Sequence, residues 1–332
     1  MGKLGEILPL RGHGTLRVHL ENAAIRAGEE LIGSVQLNVS QPIEVQSLGV
    51  AIDGKERIQW EEANQADGTK NRNEQILLTD ETTLLVPPGN SPAMTLPQGN
   101  YNYPFKFLLP ENLAASFEYR SREVKGLDIV YVDVEYNLTV KLSLQGELKT
   151  DIKWSVPFVI EHPFDTASRG RSVSLSTSEV VRSMGIFKKG TCSVRMDMEN
   201  DVLDAETPIQ VRAGIDNAFR ESARGIHLTL YEDVWIDRKT RGGAKVRQSS
   251  RVICTRSFDP IELRREATPK LVLPVLPNNI YHAEPMLPSL KSHFIHALSY
   301  RVVLEIPLSS TSKATVAAPV TVVRKPRVAA FF

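Results

Sequence analysis

Apolar and polar residues alternate along the segment IVYVDVEYNLTVKLSL, which runs from Ile129 to Leu144. Its even-numbered positions are valine, leucine or tyrosine, whereas its odd-numbered positions from Asp133 onward are charged or hydrogen-bonding. A period of two residues over this length is that of a β-strand and not of a helix. One face of the strand is therefore expected to pack on a core, and the other, with Asp133 and Glu135, to face solvent.

Shorter alternating runs occur before and after this segment. They are TLRVHL, LIGSVQLNV, IQVRAGI, GIHLTLYEDVWI, LSYRVVLEIPL and APVTVV. Residues 44–60 and 74–86 also favour strands, and the polar residues between them, with Gly68, are typical of a long hairpin loop. Because the first 160 residues show no helical stripe with capping signals, we expect an all-β chain of two tandem immunoglobulin-like sandwiches.

The segment DTASRGRSVSLSTSE, which begins at Asp165, is rich in serine and threonine and poor in bulky apolar residues. Such a composition is typical of a flexible connection. It predicts an N-terminal sandwich over residues 1–164, a Ser-rich linker over 165–182 and a C-terminal sandwich over 183–332. A chain of 332 residues is long enough for two domains of this kind.

Charge and cysteine content exclude several classes of protein. The 40 basic and 39 acidic residues give a net charge of +1, which argues against nucleic acid as a partner. Two cysteines are too few for a disulfide framework, and the N-terminal residues show no signal-peptide pattern, so a cytoplasmic location is expected. No run of about 18 apolar residues is present that would predict a membrane span.

The segment LPQGNYNYPFKFLLPENLAASFE, from Leu96 to Glu118, places Gly, aromatic-Pro-Phe, Leu-Pro and Ser-Phe-Glu elements in series. Followed by the strand that begins at Ile129, and preceded by AGEELIGSVQL, it resembles the arrestin N-domain. The segments AETPIQVRAGIDNAFRES and LVLPVLPNNIYHAEPMLPSLKSHFIHALSYRVVLEI resemble parts of the arrestin C-domain. The aromatic residues of the first segment, including Phe105, Phe107 and Phe117, are expected to fill the core.

The resemblance implies a non-enzymatic cytosolic adaptor. Such a protein would bind cytoplasmic tails or loops of membrane proteins, would be recruited peripherally to the plasma membrane or endosomes, and would direct endocytosis or sorting. Alpha-arrestins recruit ubiquitin ligases through Pro-Pro-x-Tyr motifs, but Pro87-Pro88 is followed here by Gly-Asn, so contact with trafficking or ubiquitin machinery is expected to be indirect. The alternatives are a retromer-type arrestin-like coat subunit and, more distantly, an all-β ligand-binding protein or hydrolase.

Two groups of basic residues are candidates for binding an anion. The segment DRKTRGGAKVRQSSR has a glycine pair at its centre, which predicts a flexible hairpin tip. Phosphoinositide headgroups or a phosphorylated peptide are its expected ligands, and a solvated loop is the alternative. Receptor arrestins use basic residues of their first strand to sense phosphate, and Arg17 resembles such a residue, with Arg11 just before the strand. The hairpin cations are Arg238, Lys239, Arg241, Lys245 and Arg247, with Arg251 at the end of the segment. The loop from Glu61 to Glu74 is a further expected contact surface.

Serines in the predicted linker are candidates for phosphorylation. Ser172, Ser174 and Ser176 follow Arg169 and Arg171, and basic residues before a serine suit basophilic kinases. Phosphate groups here would change the geometry between the domains. The alternative is a linker without such a role.

The sequence contains no arrangement typical of an enzyme or a metal site. His293 and His296 lie near His282, but no cysteine or carboxylate completes a ligand set, so surface histidines are expected. A nucleophile elbow, a phosphate-binding loop and a dinucleotide fingerprint are all missing from the sequence. We therefore predict no catalytic residue, no metal and no cofactor.

Overall fold

The computed structural model describes most of the chain as β-strands. The described residues are 4–10, 12–61, 70–89, 91–121, 129–145, 151–162, 170–183, 187–204, 207–218, 225–240, 243–260, 266–275, 286–309 and 312–323. They form two compact units, Met1–Pro163 and Phe164–Phe332. Each unit contains two sheets, which confirms the expected all-β class and the two sandwiches.

The N-terminal unit is built from two sheets of mostly antiparallel strands. One sheet has the order β1-β2-β4-β8, and the other has the order β3-β11-β10-β5-β6, with β7 beside β5 and β9 beside β10. The only parallel pair in this part of the described chain is β11 with β3. The strands are β1 Leu4–Pro9, β2 Gly14–Leu20, β3 Ala24–Ile25, β4 Glu30–Val39, β5 Ile43–Glu61, β6 Lys70–Leu85, β7 Met94–Leu96, β8 Gly99–Leu108, β9 Phe117–Arg120, β10 Val130–Gln145 and β11 Asp151–Ile160.

The alternation in β10 sets the core of this unit. Its even-numbered side chains are buried, as predicted, and the core aromatics Phe105, Phe107 and Phe117 are buried with them. Asp133 differs from the prediction: it is only 2% exposed although it lies on the polar face. The reason is its direct cross-strand neighbour Arg57, whose guanidinium covers the carboxylate with an Nη2–Oδ2 distance of 2.7 Å.

The C-terminal unit also has two sheets. One has the order β12-β13-β15-β18, with β19 beside β15, and the other has the order β14-β21-β20-β16-β17. The strands are β12 Val173–Ser183, β13 Phe187–Met198, β14 Val202–Asp204, β15 Ile209–Asn217, β16 Ile226–Thr240, β17 Gly243–Phe258, β18 Glu266–Ala267, β19 Lys270–Leu273, β20 Ile295–Pro307 and β21 Lys313–Val323.

The segment predicted as a linker over 165–182 is largely a strand. Residues 173–182 belong to β12, which pairs with β13 from Val173 opposite Met198 onward. Residues 163–169 lie outside the described part of the chain. The prediction of a linker is wrong for β12 because this strand lies at a sheet edge, where serine side chains can stay exposed. Val173, Leu175 and Thr177 nevertheless have the β-propensity that the serines obscure.

The two units repeat the same local construction. In each, a serine exchanges two hydrogen bonds with the end of a strand: Ser116 with Ile160, and Ser289 with Val322. Two residues before each serine, a carbonyl oxygen accepts a hydrogen bond at 2.7 Å from a buried tyrosine hydroxyl, of Tyr136 in one unit and Tyr300 in the other.

These bonds fasten equivalent loops to equivalent sheets. In both units the strand that receives the serine also pairs in parallel with a very short strand: β11 with β3, and β21 with β14. The second unit therefore has the strand order of the first although the two sequences differ.

Candidate functional site

The first strand of the N-terminal unit offers an open sheet edge. β1 pairs with β2 on one side and is the last strand of its sheet among the residues that the structure describes. Ile7 is 52% exposed and lies opposite Arg17, a partly exposed residue of β2. No carboxylate among the described side chains is paired with Arg17. An open edge with an apolar side chain and a cation can receive an extended, negatively charged peptide as an added strand. The other predicted cation, Arg11, lies outside the described residues.

The predicted basic hairpin is formed by β16 and β17. The register places Arg238 opposite Lys245 and ends with Thr240 opposite Gly243, so the turn consists of two residues. The structure thus brings these cations to one end of a long hairpin, where Lys239 follows Arg238 along the strand. Arg241 lies outside the described residues, as do the side chains of 238–246. Arg247, opposite Ile236, is exposed.

Arg251 does not belong to this basic tip. A bulge between Leu230 and Tyr231 leaves Ile253 without a partner in the register and reverses which side chains face inward. Arg251 therefore points at Glu232, with Nε 2.6 Å from Oε1 and Nη2 2.9 Å from Oε2.

Glu232 is 1% exposed and is the centre of a buried polar cluster. Besides the two contacts with Arg251, its Oε2 lies 3.2 Å from the hydroxyl of Tyr300. That hydroxyl also donates to the carbonyl oxygen of Leu287 at 2.7 Å. The cluster joins three segments of one sandwich around a carboxylate that is shielded from solvent, which is typical of a structural element.

A shallow groove of about 610 Å³ crosses the outer face of β20 and β21. Its polar side chains are engaged with one another: Asp233 accepts from Arg301 Nε at 2.8 Å and from the hydroxyl of Ser250. Arg301 also stacks on the ring of Tyr231, 4.3 Å from its centroid. These contacts engage Asp233 and Arg301 with neighbouring side chains of the same sheet.

The described residues contain no group of three or more histidine, cysteine or carboxylate side chains that could hold a metal ion. His293 and His296 are exposed, as predicted, while His282 lies outside the described residues. Burial raises the pKa of the Cys192 and Cys254 thiols to about 11, so both are protonated at neutral pH and poor nucleophiles. Within the described part of the chain, no helix has the length and hydrophobicity needed to cross a lipid bilayer.

Comparison with known families agrees with the N-terminal sandwich. The family model described as arrestin (or S-antigen), N-terminal domain, matches residues 16–167. This chain carries an arrestin N-terminal domain. The match spans β2 to β11, so it includes the loop that Tyr136 and Ser116 fasten.

Curated relatives of this arrestin-domain chain are fungal proteins. An arrestin domain-containing protein of Schizosaccharomyces pombe is 27% identical over 152 residues, which are 45% of this chain and 24% of the relative. A second from the same organism is 34% identical over 117 residues, 35% of this chain and 18% of the relative. The HECT-type ubiquitin ligase-interacting protein creD of Emericella nidulans is 27% identical over 133 residues, 38% of this chain and 21% of that protein. The chain thus matches about a fifth to a quarter of the length of these relatives.

The serines near the start of β12 lie on the exposed face of a sheet edge. Ser172 precedes the strand, while Ser174 and Ser176 belong to it, and all three are exposed. Ser174 donates to Oδ1 of Asp197 at 2.6 Å, and Ser176 lies opposite Arg195 in the register. These residues belong to a different unit from the β1 edge.

Sequence reasoning overlooked the exposed Ile7 and the buried Glu232. Ile7 could have been noted because Leu4–Pro9 precedes the first alternating strand, but a strand of this length has little periodicity. Glu232 carried a clear signal, since the alternation in GIHLTLYEDVWI places it on the face of Leu230 and Val234. A carboxylate at such a position predicts a buried partner.

Proposed function

We propose that this arrestin-domain chain is a non-enzymatic adaptor. In this proposal it acts from the cytoplasm, binds cytoplasmic tails or loops of membrane proteins at the plasma membrane or endosomes, and directs their endocytosis or sorting. The observation that carries the proposal is the β1 edge, where Ile7 and Arg17 lie side by side on a sheet with an open last strand.

The β1 edge suits an extended segment with acidic or phosphorylated residues. Backbone hydrogen bonds along β1 would provide affinity without regard to sequence, while Ile7 would contact an apolar side chain of the added strand. Arg17 has no carboxylate partner among the described side chains. It lies on β2, the second strand from the added segment, and its long side chain would reach across β1 to a negative charge on that segment. Arg11, two residues after β1, would add a second cation.

The basic end of the β16–β17 hairpin would provide contact with the membrane. Arg238 and Lys245 are cross-strand neighbours there, and Arg241 comes between them in the sequence. A cluster of this kind attracts anionic headgroups, phosphoinositides included, by charge-assisted contacts. We further propose that a site of phosphorylation lies within the group Ser172, Ser174 and Ser176.

Ubiquitin machinery is the proposed downstream partner. Relatives from Aspergillus and Emericella are named HECT-type ubiquitin ligase-interacting proteins. In this chain Pro87-Pro88 is followed by Gly89 and Asn90, so the tyrosine of a Pro-Pro-x-Tyr motif is missing, and Pro88 lies in the loop between β6 and β7. We therefore propose that a ligase is reached through another protein. We further propose that the C-terminal sandwich, whose strand order repeats that of the arrestin N-terminal domain, is an arrestin C-domain.

Proximity labelling with edge variants tests the adaptor proposal. Ile7→Glu places a carboxylate opposite Arg17, which neutralises the cation and repels an acidic strand without burying a charge. The matched control is Val86→Glu, because Val86 is 61% exposed in the same unit and lies away from β1. We expect integral membrane proteins among the labelled neighbours of the wild-type and Val86→Glu proteins and their loss with Ile7→Glu. The proposal is wrong if membrane proteins are missing in all three, and the β1 edge is not the site if they persist with Ile7→Glu.

The retromer-type coat subunit is the second candidate function. Open sheet edges also suit permanent assembly, and the β1 edge alone does not distinguish a stable partner from a transient one. Size-exclusion chromatography of native lysate separates the two functions. An adaptor is expected near the mass of the chain alone, whereas co-elution of the whole pool with a stoichiometric complex supports the coat subunit.

A further inference from the structure

Ser174 has a sequence context that its neighbours lack. Arginines stand three and five residues before it, at Arg171 and Arg169. The other serines of this segment lack one or both of these arginines. Guanidinium groups at such positions can form bidentate ion pairs with the acidic substrate groove of a basophilic protein kinase. The sequence thus singles out Ser174 within the segment.

The structure keeps both the serine and the nearer arginine accessible. Ser174 is the second residue of the edge strand β12 and is exposed. Arg171 is held by its backbone: its amide donates to Oδ1 of Asp201 at 2.7 Å, and its carbonyl oxygen accepts from the Asp201 amide at 3.0 Å. Because the fold uses the backbone of Arg171, its exposed side chain remains available to an enzyme.

Ser174 is also placed where a phosphate would conflict with the fold. Its hydroxyl donates to Oδ1 of Asp197 at 2.6 Å, at the second residue pair of the β12–β13 ladder. The other oxygen of Asp197 accepts from Nε of Arg195 at 3.0 Å. A phosphate would replace the donated proton with about −1.5 to −2 charges facing a carboxylate. The guanidinium of Arg195, whose side chain is 58% exposed, would then face nearly three negative charges, from the phosphate and Asp197 together.

We propose that Ser174 is a phosphorylation site and that its phosphate opens the start of β12. In the modification, Oγ of Ser174 forms a bond to the γ-phosphorus of ATP, the bond from that phosphorus to the β,γ-bridging oxygen breaks, and ADP leaves. The proton of the serine passes to the base of the kinase. Repulsion between the phosphate and Asp197 then separates residues 173–178 from β13, and the backbone edge of β13 becomes open to another strand.

Phosphate mapping tests the site. The full chain is incubated with ATP, Mg²⁺ and a purified protein kinase that requires arginine at positions −3 and −5, and the product is mapped by mass spectrometry. We expect one phosphate, on Ser174. Its initial rate of incorporation should fall at least about tenfold in Arg171→Ala, because a charge-assisted contact to the enzyme is lost. Ser178→Ala, on the same strand without either arginine, should leave the rate unchanged. Phosphate on other serines, or phosphorylation of a 166–181 peptide but not of the folded chain, would overturn the assignment.

Hydrogen exchange tests the opening. Stoichiometric phosphorylation should lower the protection of segment 173–178 by about tenfold or more, the effect of a dianion near a carboxylate in largely aqueous surroundings. Asp197→Asn removes the opposing charge but keeps an acceptor for the serine, so the phosphorylated Asp197→Asn protein should retain most of its protection. Ser178→Glu is the control for a charge elsewhere on β12, beside Ser193 and without a facing acid. Unchanged protection in the phosphorylated wild-type protein, or equal loss in both Asp197 forms, refutes the opening.

Discussion

Replacement of Arg251 by methionine is expected to destabilise the C-terminal sandwich strongly. Methionine keeps much of the apolar stem but leaves the carboxylate of Glu232 without the two contacts at 2.6 and 2.9 Å. Because Glu232 is 1% exposed, water is expected to replace the guanidinium only in part. Loss of one partner of a buried ion pair costs about 3–5 kcal/mol of unfolding free energy.

Replacement of the acidic partner, Glu232, is expected to cost less. In Glu232→Gln the remaining cation belongs to Arg251, whose side chain is 25% exposed and can turn toward water, so we expect a loss of about 1–2 kcal/mol. In the double variant Glu232→Leu, Arg251→Met no charge remains buried, and much of the stability lost in Arg251→Met should return. Arg301→Met is the matched control, since its partner Asp233 is more exposed than Glu232, and we expect a loss of about 1 kcal/mol.

Urea unfolding followed by fluorescence measures these differences. Trp235 lies on β16, three residues after Glu232, and the other tryptophans, Trp60 and Trp154, belong to the N-terminal unit. The background substitutions Trp60→Phe and Trp154→Phe therefore restrict the tryptophan fluorescence to the C-terminal unit. The reasoning is refuted if Arg251→Met is as stable as wild type at pH 8, or if the double variant is less stable than Arg251→Met.

Three further predictions concern the tyrosine hydrogen bonds, a close glycine contact and a buried cysteine. Tyr136→Phe and Tyr300→Phe should each lower the unfolding free energy of their own unit by about 1–3 kcal/mol, measured by urea titration, because each leaves a buried carbonyl oxygen without its donor. Gly54→Ala should cost about 1–3 kcal/mol, since the new Cβ would lie 2.4 Å from the ring of Tyr136, whereas Gly49→Ala, with its nearest contact at 3.6 Å, should cost less than half of that in the same titration. Alkylation of Cys192 at pH 8 should be at least about tenfold slower in the folded than in the urea-unfolded protein, because burial raises the thiol pKa to about 11, and equal rates would contradict its burial.

The sequence predicted the class of fold because alternation reports burial directly. In β10 each even-numbered position is buried, so the periodicity of the chain and the accessibility of the side chains agree from Val130 to Leu144. The same rule failed at Asp133, where an arginine of a strand distant in sequence covers the carboxylate. A period of two shows which face of the strand a residue is on, but not whether a side chain from another strand covers it.

The candidate sites were harder to predict because they depend on pairing. The bulge at Ile253 turns Arg251 toward the buried Glu232, although the local sequence groups it with the hairpin cations. Likewise β12 has the composition of a loop, and only its pairing with β13 makes it a strand. Where the register decides exposure, a single sequence can nominate the residues but cannot show which of them face solvent.

The repeated construction explains how two dissimilar sequences form the same kind of sandwich. The family match covers residues 16–167, yet the C-terminal unit has the same pair of ties from a buried tyrosine and a serine two residues beyond the bonded carbonyl. Each tie satisfies backbone groups where a loop passes a strand end, a place where unsatisfied groups would be costly. Each tie needs only one serine and one tyrosine at fixed positions. The core places weaker demands on sequence, because apolar residues of similar volume can replace one another at little cost in stability. The fold can therefore persist in the second unit while most of the sequence pattern that identifies the first is lost.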